Sequence, residues 1–265
     1  MADRYENITL DEADGMVRLV LNRPQALNAL NRPLLSEMIA ALDEIRDGDG
    51  RRVLVISGAG RGFSSGADLA GGSSNAGAPG FDAGQVLEQF YNPLIERLFA
   101  LPIPVVASVH GPVVGAGCMI ALSADIVIAA RSAYFLQAFV NVGLVPDAGS
   151  MWLLPRLVGR ARAQAMMMLG ERIPAETAHD WGMIYEVVED SALEGRTNEI
   201  AAKLARGPTR AHELIRHGIR AALEQPLSQA LITERVAQFE AGRTADFSEG
   251  VAAFREKRPV AFKGR

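Results

Sequence analysis

The chain has 265 residues, 49% of them hydrophobic, and a formal net charge of −4. That length fits one ordinary domain, or one domain with a small appendage, and can bury a large core. The mild acidity argues against a nucleic-acid or anionic-membrane surface, and a single cysteine, Cys118, excludes an internal disulfide framework or a thiolate metal cluster. The start, Met1-Ala2-Asp3-Arg4-Tyr5-Glu6, has neither a basic region nor an apolar stretch of the secretory kind, and no apolar run approaches the roughly 18 residues of a membrane span. The chain reads as soluble and cytoplasmic.

In chain order, Ile8-Thr9-Leu10 and residues 16–21 flank Asp14-Gly15, a hairpin signal. Leu34, Leu35, Met38, Ala41, Leu42 and Ile45 repeat at helical spacing. A strand at 53–57 leads into a long loop, from 58 to about 79, rich in Gly, Ala and Ser; loops of that length are functional or disordered. The pattern then predicts a helix over 83–100, ending before Pro102 and Pro104, a strand over 105–110, a helix over 115–123 and a strand over 125–130. Strands alternating with helices imply an α/β fold with largely parallel pairing. From Asp147 onward the pattern is helical apart from Ile184–Val188. The last 65 residues read as a helical region whose apolar faces, such as Leu214, Ile215, Ile219, Ala222 and Leu223, need a partner surface in this chain or a neighbouring subunit. We therefore divide the chain into a core over 1–200 and a helical region over 201–265.

Two corners concentrate the chemistry. The apolar strand ending at His110-Gly111 enters Gly115-Ala116-Gly117, where an apolar helix begins; Gly66-Ala67-Asp68-Leu69 follows the strand at 53–57 in a similar way. A helix start presents unpaired N–H groups, and two N–H donors converging on one carbonyl oxygen make an oxyanion hole. Gly62-Phe63-Ser64-Ser65-Gly66 matches the G-x-S-x-G pattern of serine hydrolases. The elbow needs a helix straight after it, whereas Gly71-Gly72-Ser73-Ser74-Asn75 reads as loop, so a substrate-binding loop fits better than a catalytic Ser64. The glycines near 58 and 115 lack the last glycine of a dinucleotide fingerprint, and the histidines at 110, 179, 212 and 217 have no metal-ligand spacing. Cys118, within an apolar segment, reads as a buried inert thiol, and His110 as a hydrogen-bonded structural residue.

Four segments together resemble the enoyl-CoA hydratase/isomerase (crotonase) superfamily: Leu21-Asn22-Arg23-Pro24-Gln25-Ala26-Leu27-Asn28-Ala29-Leu30, residues 62–69, residues 110–118, and Gly143-Leu144-Val145-Pro146-Asp147-Ala148-Gly149-Ser150. The resemblance covers nearly the whole chain. It implies a spiral of ββα turns followed by helices that assemble trimers, commonly paired into hexamers. It places the oxyanion-hole N–H groups on Ala67 and Ala116. It lines the groove for coenzyme A, which is part of the substrate and not a separate cofactor, with Gln25, Ala26, Leu27, Ser64, Gly66, Asp68 and Leu69. Family members add an aromatic residue and a lysine from the C-terminal helix, often from a neighbouring subunit; Phe254 and Lys257 match those positions, where plain helix packing and a solvated charge are the alternative. Asp68 fits a cap or turn better than an acid catalyst.

The departure from the family pattern bears on the reaction. Hydratases of the superfamily carry two glutamates around the acyl end, and here those positions read Met119 and Phe139. Asp147 is the carboxylate that the motif keeps in reach; locally it could equally be the N-cap of the helix that follows. The branch containing 1,2-epoxyphenylacetyl-CoA isomerase and some enoyl-CoA isomerases has an acid there, and residues 151–159 also resemble that branch. Dehalogenases of the superfamily share the aspartate but need a histidine and a tryptophan where this chain has Glu96 and Phe139. Glu96 reads as a solvated helix residue. The expectation is an acyl-CoA isomerase with Asp147 as acid/base and an apolar lining of Met119, Phe139 and Val140, the alternatives being a hydratase or a non-catalytic acyl-CoA-binding protein. Aromatic epoxide and straight-chain 3-enoyl substrates both fit, the pocket's shape depending on the loop at 70–90.

Overall fold

The computed structural model describes residues 4–69 and 82–265. The part of the long Gly/Ala/Ser loop at 70–81, with its expected influence on pocket shape, lies outside the described residues.

A hairpin opens the fold. Asp14 and Gly15, both at positive φ, turn β1 (Ile8–Ala13) into β2 (Met16–Leu21), as the sequence suggests. Helix α1 (Arg32–Asp47) starts where the Asn31 side chain accepts the Leu34 N–H at 2.9 Å, and it buries the six apolar residues whose spacing predicts it. β3 (Val53–Gly58), β4 (Val105–Val109) and β6 (Ile126–Ala130) are almost wholly buried, as parallel strands covered on both faces must be. Between them come α2 (Asn92–Ala100), the short β5 (Pro112–Val114) and α3 (Ala116–Leu122). The six-stranded sheet runs β1-β2-β3-β4-β6-β9, with β9 at Glu186–Val188, and is parallel from β2 onward. A second, three-stranded sheet joins β5, β7 (Tyr134–Leu136) and β8 (Ile173–Pro174).

The period of two along β3 divides the core. Leu54 and Ile56 face the cluster that contains α1, α2 and α3, whereas Val53 and Val55 face Leu193, Ile200, Ala201 and Ala205 of a helix on the other side. α4 (Ser150–Leu169) is interrupted at Gly159, whose φ of 76° is not helical, and α5 (Ala175–Asp180) precedes β9. The sheet-covering helix is α6 (Leu193–Ala205), after which α7 (Thr209–Ala222), α8 (Leu227–Ala241) and α9 (Ala245–Glu256) close the chain.

Two expectations change. The predicted helix over 83–100 is a π-helical turn, Leu87–Tyr91, running into α2. Pro93 is the reason we see: it has no N–H to give, and its ring would press on the carbonyl four residues back, so the wider turn lets Asn92 donate to Leu87 instead. The predicted strand at 184–188 is ordered as strand only from Glu186. The apolar residues Ile215, Ile219 and Leu223 along α7 also stay exposed, and the helix is fastened to its own chain at Arg216 beside them. That side chain, 6% exposed, bonds Asp125 and the carbonyls of Leu98, Phe99 and Leu101 at the end of α2. Among the described residues no helix is long and apolar enough to cross a membrane.

Candidate active site

The two glycine corners meet. Ser64 pairs with Val113 in an isolated parallel bridge: its N–H donates to the Pro112 carbonyl and its own carbonyl accepts from Val114, each at 3.0 Å. Gly66 has a φ of 85°, and a Cβ there would stand 2.9 Å from the Val114 carbonyl oxygen. Gly115, at φ 55°, lies against it, a Cβ on Gly115 being 3.9 Å from the Gly66 Cα. Glycine is required at both places for the backbone conformation and, at Gly66, for the close approach. Ala67 and Ala116 follow directly, one from each corner. Among the described residues neither of their N–H groups donates to an acceptor of this chain, so both donors remain available. Ala116 opens α3, where the orphan N–H groups carry the positive end of the helix.

The corner at 64–68 is stitched to the loop at 23–30. Ser65 donates its N–H to the Leu27 carbonyl, Leu30 to that of Gly66 and Asp68 to that of Leu30. Asn28 is the staple beneath them. Fully buried at φ 53°, it donates from its amide to the carbonyls of Ala59 and Gly62 and accepts the Arg23 N–H, each at 2.9 Å. Asparagine tolerates the left-handed conformation, but Leu27 before it, at φ 50°, pays for its place in the turn with steric strain. The turn Pro24–Ala26 carries Gln25 to the surface, with Ala26 and Leu27 half-buried beside it.

Several expected groove residues have other work. Ser64 does not line an open groove with its side chain: it is fully buried, donates its hydroxyl to the Asn28 carbonyl at 2.8 Å and accepts the Gly66 N–H at 3.2 Å. A Cβ on Gly117 would meet the Ser64 side chain at 2.6 Å, so Ser64 packs one corner onto the other. The hydrolase-like motif is therefore a structural joint. Asp68 pairs with Arg23 at 2.9 Å, which binds the two loops by charge rather than leaving an acid for catalysis. Leu69 is exposed, and Phe254, on α9, is 86% exposed; Lys257 follows α9 on the surface at φ 51°. Phe254 is thus not packed within its own chain. His110 bonds the Gly60 carbonyl at 2.9 Å, burial pushes the Cys118 thiol up to about 12, and Glu96 is exposed on α2.

The acid side is built differently. Met119, one helical turn after Ala116, is fully buried, and the Phe139 ring lies 3.7 Å from where a Gly115 Cβ would be. Val140 next to it is partly exposed. Asp147 does not cap α4: Gly149 holds that position and makes no side-chain bond. Instead Asp147 Oδ1 is buried with no hydrogen-bond partner, and removal from water pushes the carboxyl up from the ordinary value of 3.8 to about 6.

Tyr91, which the sequence does not single out, completes this wall. It ends the π-helical turn, one turn before Ile95, and Ile95 lies 3.9 Å from a Cβ placed on Gly149. It is buried, and its phenol is held neutral first by burial and then by the carboxylates of Asp147 and Asp68. The influence of both carboxylates sets Tyr91 near the 66–69 corner and the Asp147 turn. Its only signal in the sequence was an aromatic residue just before Asn92-Pro93.

The arrangement can polarise a carbonyl at one end and exchange a proton at the other. Comparison with known proteins gives this geometry a lineage. Residues 11–265 match the model of the enoyl-CoA hydratase/isomerase family. The chain is 45% identical to the 1,2-epoxyphenylacetyl-CoA isomerase of Escherichia coli K12, across 95% of this chain and 96% of that protein. It is 44% identical to a probable enoyl-CoA hydratase of Rhodobacter capsulatus, across 98% and 99% of the two chains. The crystal structure of an enoyl-CoA hydratase from Bacillus anthracis superposes with a TM-score of 0.90 at 33% identity, covering 98% of this chain and all of that one. The ββα turns, the paired corners and these likenesses agree, and the chain belongs to the enoyl-CoA hydratase/isomerase family.

Proposed function

We propose that this protein is an acyl-CoA isomerase that moves a double bond through an enolate. The observation that carries the reading is the Asp147 carboxyl group, one oxygen of it buried without a hydrogen-bond partner, together with Met119 and Phe139 standing where a hydratase of the resemblance would have its two glutamates. Neither of those side chains can move a proton. The substrate's thioester oxygen accepts from the Ala67 and Ala116 N–H groups, which stabilise negative charge as it develops. Asp147 then removes the proton from the carbon next to the carbonyl, the C–H electron pair enters the enolate, and the same carboxyl group returns a proton two carbons further along while the double bond shifts. One group performs both transfers because the two carbons lie on the same face of the enolate. Burial suits both halves of that cycle, since a carboxyl near 6 is ionised at neutral pH yet holds a proton well enough to give it back.

The turn at 24–27 and the corner at 66–69 form the groove for the coenzyme A part of the substrate. In the same reading the open apolar faces of α7 and α8 join copies of the chain into trimers or hexamers, and Phe254 and Lys257 reach the groove of a neighbouring copy. The test is conversion of a 3-enoyl-CoA thioester to its 2-enoyl isomer by the parent and by Asp147→Asn. Loss of at least about 1,000-fold in kcat, with thioester binding retained, is expected for removal of the only base. Undiminished turnover by Asp147→Asn would place the base elsewhere.

A further inference from the structure

Gln137 is a primary amide buried to 0% exposure, at the end of β7, in a stretch otherwise apolar from Tyr134 to Val140. Burying an amide is costly unless its atoms are paired. Its Oε1 lies 3.1 Å from Ser150 Oγ, and its Nε2 is 3.7 Å from the sulfur of Met119, a weak acceptor in the apolar wall. Ser150, also fully buried, places the same hydroxyl 2.7 Å from the Asp147 carbonyl oxygen, which accepts the Ser150 N–H at 2.9 Å as well. The Asp147 peptide is thus gripped from the helix behind it. Between the two residues the backbone passes through positive φ twice, at Ala148 (49°) and Gly149 (81°). An alanine holds that conformation only where its surroundings impose it.

The carboxyl group has no comparable restraint, since Asp147 Oδ1 has no hydrogen-bond partner. Its direction follows from the backbone, and the backbone follows from Ser150 and the amide behind it. Resting on the reading of Asp147 as the base, we infer that Gln137 is a positioning residue: through Ser150 it clamps the 147–149 turn to the Met119 wall and so aims the carboxyl group at the bound acyl chain. The arrangement leaves the carboxyl oxygens free for substrate, which a direct side-chain partner would not.

The experiment compares Gln137→Met and Ser150→Ala with the parent and with Asp147→Asn. Each is assayed on a 3-enoyl-CoA thioester across pH, with melting temperature measured alongside. The clamp predicts kcat lowered about 10- to 100-fold in both variants, the cost of a small misplacement, with KM within about twofold. It also predicts that the acidic limb of the pH profile, near 6 in the parent, moves down toward the ordinary carboxylate range as the loosened turn meets water. Tyr91, the titratable group placed near Asp147, stays as it is in both variants, so the shift reads the turn. Folded variants with the parent's kcat and acidic limb overturn the proposal, and so does a lowered melting temperature with both quantities unchanged. Should Gln137→Met fail to fold, Ser150→Ala carries the test, because it removes the grip on Asp147 and leaves the amide in place. Turnover surviving in Asp147→Asn overturns the reading of the base itself, and this inference with it. Inactive Asp147→Asn beside parent-like Gln137→Met and Ser150→Ala overturns the clamp alone.

Discussion

In the proposed reading the working groups at the 66–67 and 115–116 corner are backbone, and the side chains around them are paired: Ser64 with Asn28, Asn28 with three loop atoms, Asp68 with Arg23. In the same reading the working group on the acid side is the Asp147 side chain, one of whose oxygens is buried with no partner. The first arrangement stays complementary to an oxyanion whatever the acyl group is, because peptide N–H groups have neither rotamer nor pKa. The second stores unfavourable energy in a carboxyl group that water would stabilise, and this is what tunes it for proton transfer. Within one site, rigidity and reactivity are thus assigned to different walls.

After loss of Asp147 itself, breaking the rigid wall has the largest expected effect. Gly66→Ala puts a Cβ 2.9 Å from the Val114 carbonyl oxygen in a left-handed conformation, so the corner must shift and carry the Ala67 N–H with it. Loss of one oxyanion-hole donor lowers kcat by roughly 100- to 1,000-fold. Measured thioester affinity separates that from a lost groove: affinity near the parent's with kcat lowered is the expected pattern, whereas unchanged kcat would show that the corner does not hold the oxyanion.

The reactive wall is sharpened by pH. Asp147 must start as the carboxylate, so kcat/KM should fall about tenfold per pH unit below about 6 and level off above it. A limb at the ordinary carboxylate value would mean that the acid is solvated in the working enzyme.

The smallest effect is on stability, and its sign is the informative part. The carboxyl's folded pKa is raised, so the fold disfavours the charged form. The penalty is absent when the group is protonated in both states, grows from about pH 4 and is complete above about pH 6. Asp147→Asn should therefore be more stable than the parent at pH 8, by about 1–3 kcal/mol, and no more stable below about pH 4. Denaturant melts at the two pH values check this, and an equal difference at both would assign the gain to packing rather than charge.

The rigid wall was also the more legible in the sequence. Glycine spacing after buried strands pointed to both corners, and the hairpin at Asp14-Gly15, α1 and the parallel strands follow from local periodicity and turn chemistry. The acid side was legible only as a choice between a cap and a base, because what decides it is burial, supplied by distant residues. Tyr91 and Gln137 were not visible for the same reason. Tyr91 depends on a π-helical turn that an ordinary helical period conceals, and Gln137 is one polar residue in an apolar run with no motif around it. Ser64 misled in the opposite direction: the motif brings it to the corner, but whether a serine faces a groove or the joint between two corners is a tertiary fact.

The central claim is that one acid opposite two N–H donors shifts a double bond and does not add water. The most direct test offers the parent protein a 3-enoyl-CoA thioester and a 2-enoyl-CoA thioester side by side and follows the 2-enoyl and 3-hydroxyacyl products. The account predicts steady conversion of the 3-enoyl thioester to the 2-enoyl thioester with hydration slower by at least about 100-fold, since Met119 and Phe139 stand where the resemblance gives a hydratase its two glutamates. Hydration of the 2-enoyl thioester as fast as isomerisation would contradict it.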